Sequence, residues 1–415
     1  MIKLSGFIKS SFYKNGLNLF SGTLIGNLIT FGFLPILTRL YTQEEIGINS
    51  TLISISSFIT VFFSLQLNQS ILVQQSKKKY TLLVNVIFII SLVVFMIFLL
   101  IFIFFEIEII KLLNAEIKPK LILLVPLLAF NVSLYNTLRN FFIRENSFNL
   151  ISKNFIFKSL SNNILMSSFG VLSFGYYGLF FSKVISEIFS NIHLFLKHNG
   201  YFKGIISLTK ISKVFKQNIK YPTVTLPHSV FTSLSAEVPI LFITSYFSPT
   251  ITGIYFLSIK VSSIPFQIIS TSLGNVFFDE FINDSNKLYL FVKRLKEALV
   301  IHLIILIPSI VFTYLFIDKI FGYDFGTIGS FTSFLLILFF SKSISSIFGN
   351  PVMLHLKKNE LNFQFEMYNF ITMLISILLG VYFESILIFI LLNITTNIFI
   401  IIIKLKLCYN FLKKL

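Results

Sequence analysis

The chain has 415 residues, of which 55% are hydrophobic and only 12% are charged. Soluble domains carry about 25% charged residues, so this composition excludes a soluble globular protein and requires apolar surface that faces lipid. The formal net charge is +17. Because the cations lie between apolar segments, we attribute their excess to orientation in a membrane and exclude nucleic acid as a partner. The one cysteine, Cys408, excludes an internal disulfide and a thiolate metal site.

Apolar segments long enough to cross a bilayer follow one another along the whole chain. A spanning helix takes about 20 mostly apolar residues, and strands of a membrane barrel would alternate with period two, which these segments do not. The sequence therefore predicts an all-α integral membrane protein with about twelve transmembrane helices. The expected spans are 18–38, 47–73, 81–105, 120–142, 152–173, 177–197, 221–247, 251–278, 297–317, 326–349, 363–383 and 385–407, the fifth and seventh being the most polar.

Lys and Arg concentrate in every second connecting segment, beginning with the N-terminal one. The positive-inside rule then places both termini in the cytoplasm. Lys158 and Lys404 are counted here with the cytoplasmic segments. The longest connection, 198–220, is basic and falls on the same side. No connection has the 50 or so residues that a separate domain needs, which argues against an enzyme with a soluble catalytic head.

The first hydrophobic hairpin has an echo in the second half of the chain. Leu-Pro-Ile-Leu at 34–37 recurs as Val-Pro-Ile-Leu at 238–241, and each is followed by a tyrosine and then a glycine. The echo falls at spans one–two and seven–eight, which predicts two parallel six-helix lobes with a binding site between them near the midplane. The expected domains are an N-lobe at 1–200, a basic cytoplasmic linker at 201–220 and a C-lobe at 221–415.

Three further motifs suggest a family. They are Pro35 with Arg39-Leu40-Tyr41, two acidic residues and Gly47; Gly253-Ile254-Tyr255 with Lys260 and Pro265; and Asn350-Pro351 with Lys357-Lys358-Asn359. Together with length and span count, they resemble the O-antigen and polysaccharide flippases, the oligosaccharidyl-lipid branch of the MOP exporter superfamily.

The resemblance implies a function. The protein would move an undecaprenyl-diphosphate-linked oligosaccharide, an O-antigen or capsule repeat unit, from the cytoplasmic to the periplasmic face of a bacterial inner membrane. It would do so by alternating access, without a cofactor, and coupled to a proton or sodium gradient. The implied partners besides the cargo are membrane lipids, a polysaccharide polymerase and a chain-length regulator.

Ionisable side chains at bilayer depth are costly and usually face a cavity or a partner. A diphosphate that crosses the low-dielectric core needs compensating cations. The candidates for binding it are Lys183, Lys260, Gln267 and Lys342. Lys260 heads a polar stripe at helical spacing, although a lysine near a span end also snorkels to the boundary. Lys183 and Glu187, one turn apart, form either a self-neutralising pair or a pair that opens when cargo or a cation arrives.

Three residues are candidates for ion coupling: Glu237, Glu187 and His228. Glu237 precedes Pro239, which interrupts the helical hydrogen bonds, and His228 belongs to the residue type that most often serves as a proton carrier. For both, a hydrogen-bonded role between packed helices is the alternative. Arg39, at the outer end of the first span, marks a boundary or pairs with Glu44 or Glu45 as an outer gate. A polar face in the second span predicts tight helix packing or the wall of a wet cavity; it comprises Ser50, Ser54, Ser57, Ser64 and Asn68.

The chain has no phosphate-binding loop, zinc-protease motif or nucleophile elbow, so we expect a transporter and not an enzyme. Two alternatives to the flippase hypothesis stay open. One is an exporter of drugs or of another lipid-linked precursor with the same fold. The other is a membrane polysaccharide polymerase, against which the short outer connections argue.

Overall fold

The computed structural model describes residues 11–114, 117–197, 208–322, 328–356 and 358–414. Residues 201–207 of the expected linker and Lys357 of the third motif lie outside these ranges. Every regular element in the described part is a helix. The long helices are α1 Ser11–Leu40, α2 Gln43–Phe63, α3 Lys77–Phe104, α4 Val125–Arg144, α5 Phe148–Val171, α6 Gly175–Lys197, α7 Leu226–Tyr246, α8 Pro249–Asn283, α9 Lys287–Phe321, α10 Ile328–Ile344, α11 Asn359–Tyr382 and α12 Ile386–Lys413.

Within the described residues, eleven helical stretches are long and apolar enough to cross a membrane. They include all the long helices except α5. The prediction of an all-helical membrane protein with about twelve spans is thus confirmed, and α5 is set apart because it is too polar to meet the same standard. Its polar residues must be satisfied by other parts of the protein, since lipid offers no hydrogen-bond partner.

The chain divides into two compact units, Met1–Ser233 and Leu234–Leu415, here called the N unit and the C unit. The division falls within α7. In the N unit, α4 packs against α2, α3 and α6, and α5 packs against α6. In the C unit, α10 packs against α8, α9 and α12, and α11 packs against α12. These four pairings of the N unit therefore recur in the C unit with the helix number raised by six.

The turn that follows α1 is held by a capping box. The Thr42 hydroxyl accepts a hydrogen bond from the Glu45 amide at 3.2 Å, and the Glu45 carboxylate accepts one from the Thr42 amide at 2.8 Å. In the C unit, the Ser248 hydroxyl caps α8 by accepting from the Ile251 amide, also at 3.2 Å. The sequence echo thus coincides with equivalent helix starts.

Beside this turn, Tyr41 is buried and donates its hydroxyl to the carbonyl of Met166 on α5 at 2.7 Å. Burial, and second the nearby Glu45 carboxylate, raise the pKa of Tyr41 to about 12. The phenol therefore stays a hydrogen-bond donor at any physiological pH and ties the end of α1 to α5.

Close contact between α1 and α5 depends on two glycines spaced as G-x-x-x-G. A Cβ added at Gly22 would lie 2.4 Å from the Cβ and 2.6 Å from the Cα of Ser152, and one at Gly26 would lie 2.5 Å from the Phe155 ring. Small residues at this spacing let two membrane helices approach at backbone distance. The helix α5, the long helix of the described N unit that is absent from the candidate spans, is in this way packed directly against α1.

We predict that Gly22→Ala destabilises the N unit by about 1–3 kcal/mol, the usual cost of overpacking a close contact. Gly32→Ala is the matched control, because a Cβ there meets nothing within 4 Å, and a gain of about 0.4–1 kcal/mol is expected from reduced backbone entropy. Thermal unfolding of the detergent-solubilised protein measures both. Equal stability of the two variants would contradict the packing described.

Candidate functional site

A polar seam runs along the contact between α5 and α6. On α5, Asn154, Lys158 and Asn162 recur every four residues, a spacing that places them on one face of the helix. Asn154 donates to the carbonyl of Ser190 on α6 at 3.0 Å and accepts from its hydroxyl at 2.7 Å. Further along the seam, the Ser186 hydroxyl donates to the Asn162 side-chain oxygen at 3.4 Å. The polar face of α5 thus finds its partners on α6.

Three charged side chains meet in the middle of this seam. Glu187 Oε1 lies 2.6 Å from Lys158 Nζ and 3.4 Å from Lys183 Nζ. Lys158 Nζ also lies 3.9 Å from the ring centroid of Tyr135 on α4, a cation–π contact. The cluster of Lys158, Lys183 and Glu187 carries two cations and one anion, so with all three ionised it has one net positive charge.

Exposure differs sharply within the cluster. The Glu187 side chain is 1% exposed and that of Lys158 14%, but that of Lys183 is 32% exposed. Burying an ion costs several kcal/mol unless it is paired and hydrogen-bonded, and the second oxygen of Glu187, Oε2, is buried with no hydrogen-bond partner among the described residues. The carboxylate therefore has a spare acceptor for a proton or a small cation, and Lys183 is the cation best placed to leave Glu187 for an incoming anion.

The C unit contains a second buried lysine. Lys404 on α12 is 2% exposed, and its Nζ donates to Asn350 Oδ1 at 2.6 Å. The aliphatic part of the Lys404 side chain passes close to the π-helical turn Ser345–Gly349. A Cβ added at Gly349 would lie 3.0 Å from Lys404 Cε. Glu366 on α11 interacts electrostatically with both Lys404 and Lys342. No salt bridge shorter than 4.0 Å joins Glu366 to a described lysine.

The predicted cargo-binding residues of the C unit lie on exposed faces. Lys260 and Gln267 are exposed on α8, and the Lys260 ammonium lies 5.1 Å from the ring centroid of Phe256. Lys342 is exposed on α10, with its ammonium 6.0 Å from the ring centroid of Phe339. The exposure of both lysines agrees with a ligand-binding role, which stays a prediction.

The remaining predicted residues have the following places. His228 and Glu237 are half-buried on α7. Arg39 is exposed at the end of α1 and forms no salt bridge with a carboxylate in the described part of the chain. Glu45, one of its two expected partners, is engaged in the capping box. Of all the predicted site residues, the structure brings Lys183 and Glu187 into direct contact.

The polar face of the second span is packed inside the N unit. Ser50, Ser54 and Ser64 are at most 3% exposed, and the Ser50 hydroxyl donates to the carbonyl of Gly47 in the same helix at 2.8 Å. This arrangement favours helix packing over the wall of a wet cavity.

Two candidate residues were missed from the sequence. Lys158 and Lys404 were counted only as charges of cytoplasmic segments, and the structure places Lys158 half-buried on α5 and Lys404 buried on α12. A count of cations by segment does not distinguish a lysine on the exposed face of a helix from one on the face that packs against another helix. The signal that identifies them is a polar stripe at helical spacing: Lys158 continues Asn154 and Asn162, and Lys404 continues the buried Asn393 and Asn397.

Comparison with known proteins adds the family and the fold. A family model described as polysaccharide biosynthesis protein matches residues 36–327. No curated protein sequence is significantly similar to the chain. Among solved structures, a multidrug resistance MATE family transporter of the MOP superfamily in an outward-facing conformation matches with a TM-score of 0.64 and 14% identity, covering 97% of this chain and 96% of that one.

Two further structures match over similar lengths. An inward-facing conformation of a multidrug resistance MATE family transporter gives a TM-score of 0.62 at 14% identity, with 95% of both chains covered. A MOP superfamily transporter from Pyrococcus furiosus, described as having a binding pocket of reverse polarity, gives 0.56 at 14% identity, with 96% of both chains covered. At this identity the likeness shows the fold, which is that of the MOP superfamily transporters.

The charge cluster makes a quantitative prediction. Glu187→Gln leaves two lysines facing a neutral amide and should destabilise the protein by about 3–5 kcal/mol. Lys158→Met should cost less, because Lys183 still neutralises Glu187. The double variant Lys158→Met/Glu187→Gln should be more stable than Glu187→Gln alone, since it removes the buried cation together with its partner. Thermal unfolding of all three variants checks this, and simple additivity of the two single effects would mean that the residues are not coupled.

Proposed function

The chain belongs to the polysaccharide biosynthesis protein family, and we propose that it is a flippase for undecaprenyl-diphosphate-linked oligosaccharide. In this proposal it moves an O-antigen or capsule repeat unit from the cytoplasmic to the periplasmic face of a bacterial inner membrane by alternating access. Family and fold together make the protein a multi-pass membrane transporter that serves polysaccharide biosynthesis. The observation that supports the choice of cargo is the presence of lysines within the long apolar helices, among them Lys183, Lys260 and Lys342.

An anionic headgroup explains why a transporter would keep such costly cations. A diphosphate that leaves water loses its hydration, and compensating charges in a low-dielectric site recover part of that loss. Lysine suits this role as a compact charge on a flexible stem. Lys183 is partly exposed at the cluster in the N unit, and Lys260 and Lys342 are exposed in the C unit. Each of these lysines is a proposed ligand of the diphosphate within its own unit, and Gln267 adds a donor on the same face of α8, two turns after Lys260.

Ion coupling follows from the same cluster. When a phosphate draws Lys183 away, Glu187 keeps its 2.6 Å contact with Lys158, and the carboxylate loses the second of its two cations. A proton or sodium ion bound at Oε2 would replace that charge, so binding of cargo and binding of the coupling ion would be linked at one carboxylate. Glu237 and His228 on α7 are further candidates for the coupling ion. A polysaccharide polymerase and a chain-length regulator remain proposed partners.

Export of drugs is the second candidate function. The structural relatives reported as multidrug resistance transporters share the fold at 14% identity. A buried net positive charge repels a cationic drug and attracts an anionic headgroup, so the lysines favour the lipid-linked cargo. Resistance profiling of cells that overproduce the protein separates the two functions.

We predict that deletion of the gene, in a strain without a redundant exporter, causes lipid-linked repeat units to accumulate and surface polysaccharide to disappear. The reason is that assembly on the outer side of the membrane needs units delivered to that side. Extraction of lipid-linked oligosaccharides and electrophoresis of surface polysaccharide measure both effects. Unchanged surface polysaccharide in the deletion strain would overturn the proposed function.

In the same strain, Lys260→Ala and Lys342→Ala should each impair export while the protein still inserts at its normal level. The matched control is Lys319→Ala, an exposed lysine at the end of α9, which should complement fully. Export is read from surface polysaccharide and insertion from immunoblots of the membrane fraction. If both of the first two variants complement as well as the control, these lysines do not bind cargo.

A further inference from the structure

The helix Leu208–Gln217, in the connection between α6 and α7, is basic on one face and apolar on the other. The sequence from Glu187 to Glu237 contains no acidic residue between these two. It contains lysines at positions 197, 203, 210, 213, 216 and 220. Such a helix either inserts its apolar face into the bilayer surface or packs that face on protein and presents its charges.

The structure shows that the described part of the apolar face, Val214 and Phe215, is packed on protein. Val214 is 8% exposed and belongs to the hydrophobic core formed with α3, α4 and α6, and Phe215 packs against the same core. The end of the helix is fixed by Asn218, which is buried, donates to the Val214 carbonyl at 2.9 Å and accepts from Gln74 at 3.5 Å. Insertion of this helix into lipid by its apolar face is therefore excluded in this conformation.

The polar face of Leu208–Gln217 lies beside other exposed lysines of the N unit and forms one positive surface with them. Lys213, Lys216 and Lys220 are exposed. Gln74, which holds Asn218, also accepts through its carbonyl a hydrogen bond from Arg144 Nε at 2.6 Å. Gln74 comes just before the exposed lysines 77–79 at the start of α3. We call the exposed lysines 78, 79, 213, 216 and 220 the basic face.

Little negative charge offsets this surface. Glu145, at the end of α4, pairs with Lys77 at 3.0 Å and accepts the hydroxyl of Tyr80. Its charge is thus compensated by Lys77, which leaves the five lysines of the basic face without a carboxylate within 4.0 Å in the described part of the chain.

The basic face lies at the level where spans leave the membrane. One candidate span begins at Lys77 and another ends at Arg144, and Leu208–Gln217 packs against the helix that starts at Lys77. A lysine or arginine near an anionic leaflet contributes about 1 kcal/mol, within a Debye length of about 8 Å at physiological salt. Position and charge are both those of a lipid-headgroup site.

We propose that the basic face binds the phosphate headgroups of anionic phospholipids and thereby holds the helix Leu208–Gln217 at the membrane surface. Because the apolar face is packed on the N unit, binding is electrostatic and involves no insertion of the helix. The bound lipids fix the segment that leads into α7, whose first residues follow Lys220 closely along the chain. This proposal concerns bulk lipid and does not depend on the identity of the transported cargo.

The test is hydrogen–deuterium exchange of residues 208–217 in the full-length protein, reconstituted in nanodiscs of phosphatidylcholine with increasing phosphatidylglycerol. Phosphatidylglycerol should slow exchange in this helix, and raising the salt concentration should reverse the effect. In Lys213→Gln/Lys216→Gln/Lys220→Gln, the apparent affinity for phosphatidylglycerol should fall on the order of 100-fold, from about 1 kcal/mol per lysine.

The matched control is Lys406→Gln/Lys413→Gln/Lys414→Gln, which removes the same charge from exposed positions on the C unit and should keep the lipid effect. An equal loss in this control, or no lipid effect in the native protein, would overturn the proposal. A further arm adds inorganic pyrophosphate to phosphatidylcholine nanodiscs. Equal protection by pyrophosphate would show a site for a small anion and would also overturn binding to a lipid surface. None of these measurements uses export, so their failure leaves the proposed transport function unaffected.

Discussion

The 2.6 Å contact between Lys158 and Glu187 allows a helix as polar as α5 to lie inside the N unit. A buried lysine and a buried glutamate are each expensive alone, and together they neutralise one another in a medium that screens them poorly. The amides and hydroxyls on either side of the pair satisfy the rest of the helix face. On its other side, α5 meets the glycines of α1, where Ser152 and Phe155 occupy the space that a side chain on α1 would need. The position of α5, and with it the packing of the N unit, depends on this single charge-paired seam.

The C unit also contains a buried lysine, but this lysine is held by a neutral side chain. Lys404 donates to the amide of Asn350 and not to a carboxylate, so its charge is hydrogen-bonded but not cancelled by direct contact. The nearest acidic influence is that of Glu366, which acts on Lys342 as well. The carboxylate lies on the first helix of the α11–α12 pair and the buried lysine on the second, whereas in the α5–α6 pair the order is reversed. The α5–α6 pair and the α11–α12 pair therefore each contain a lysine and a carboxylate, but only in the α5–α6 pair are the two in direct contact.

Much of this architecture follows from the sequence. The hydropathy of a span is an average over about 20 residues, so a few polar residues do not change the prediction of a membrane helix. The spans, the helical class and the i,i+4 contact between Lys183 and Glu187 all depend on regular spacing within one helix. The place of Lys158 depends instead on which helix lies opposite, and a single sequence contains no information on that pairing. The same holds for Lys404, whose partner Asn350 is 54 positions away. The capping of α2 was implicit in Thr42 and Glu45, but the interpretation of Glu45 as a partner of Arg39 obscured it.

The degree of burial separates the lysines into two kinds. Lys158 and Lys404 are held at 2.6 Å by a fixed partner and have little access to solvent, so a ligand would have to displace that partner and unpack a helix to reach them. Lys260 and Lys342 are exposed and bring no large unpacking cost. Lys183 combines the two conditions, since it is partly exposed and yet within 3.4 Å of a buried carboxylate. An anion that binds Lys183 must change the electrostatic environment of Glu187, whereas an anion that binds Lys260 or Lys342 does not act on that carboxylate through a shared contact. Within the N unit, Lys183 is therefore the residue through which the proposed binding of cargo and the proposed binding of a coupling ion would be most directly linked.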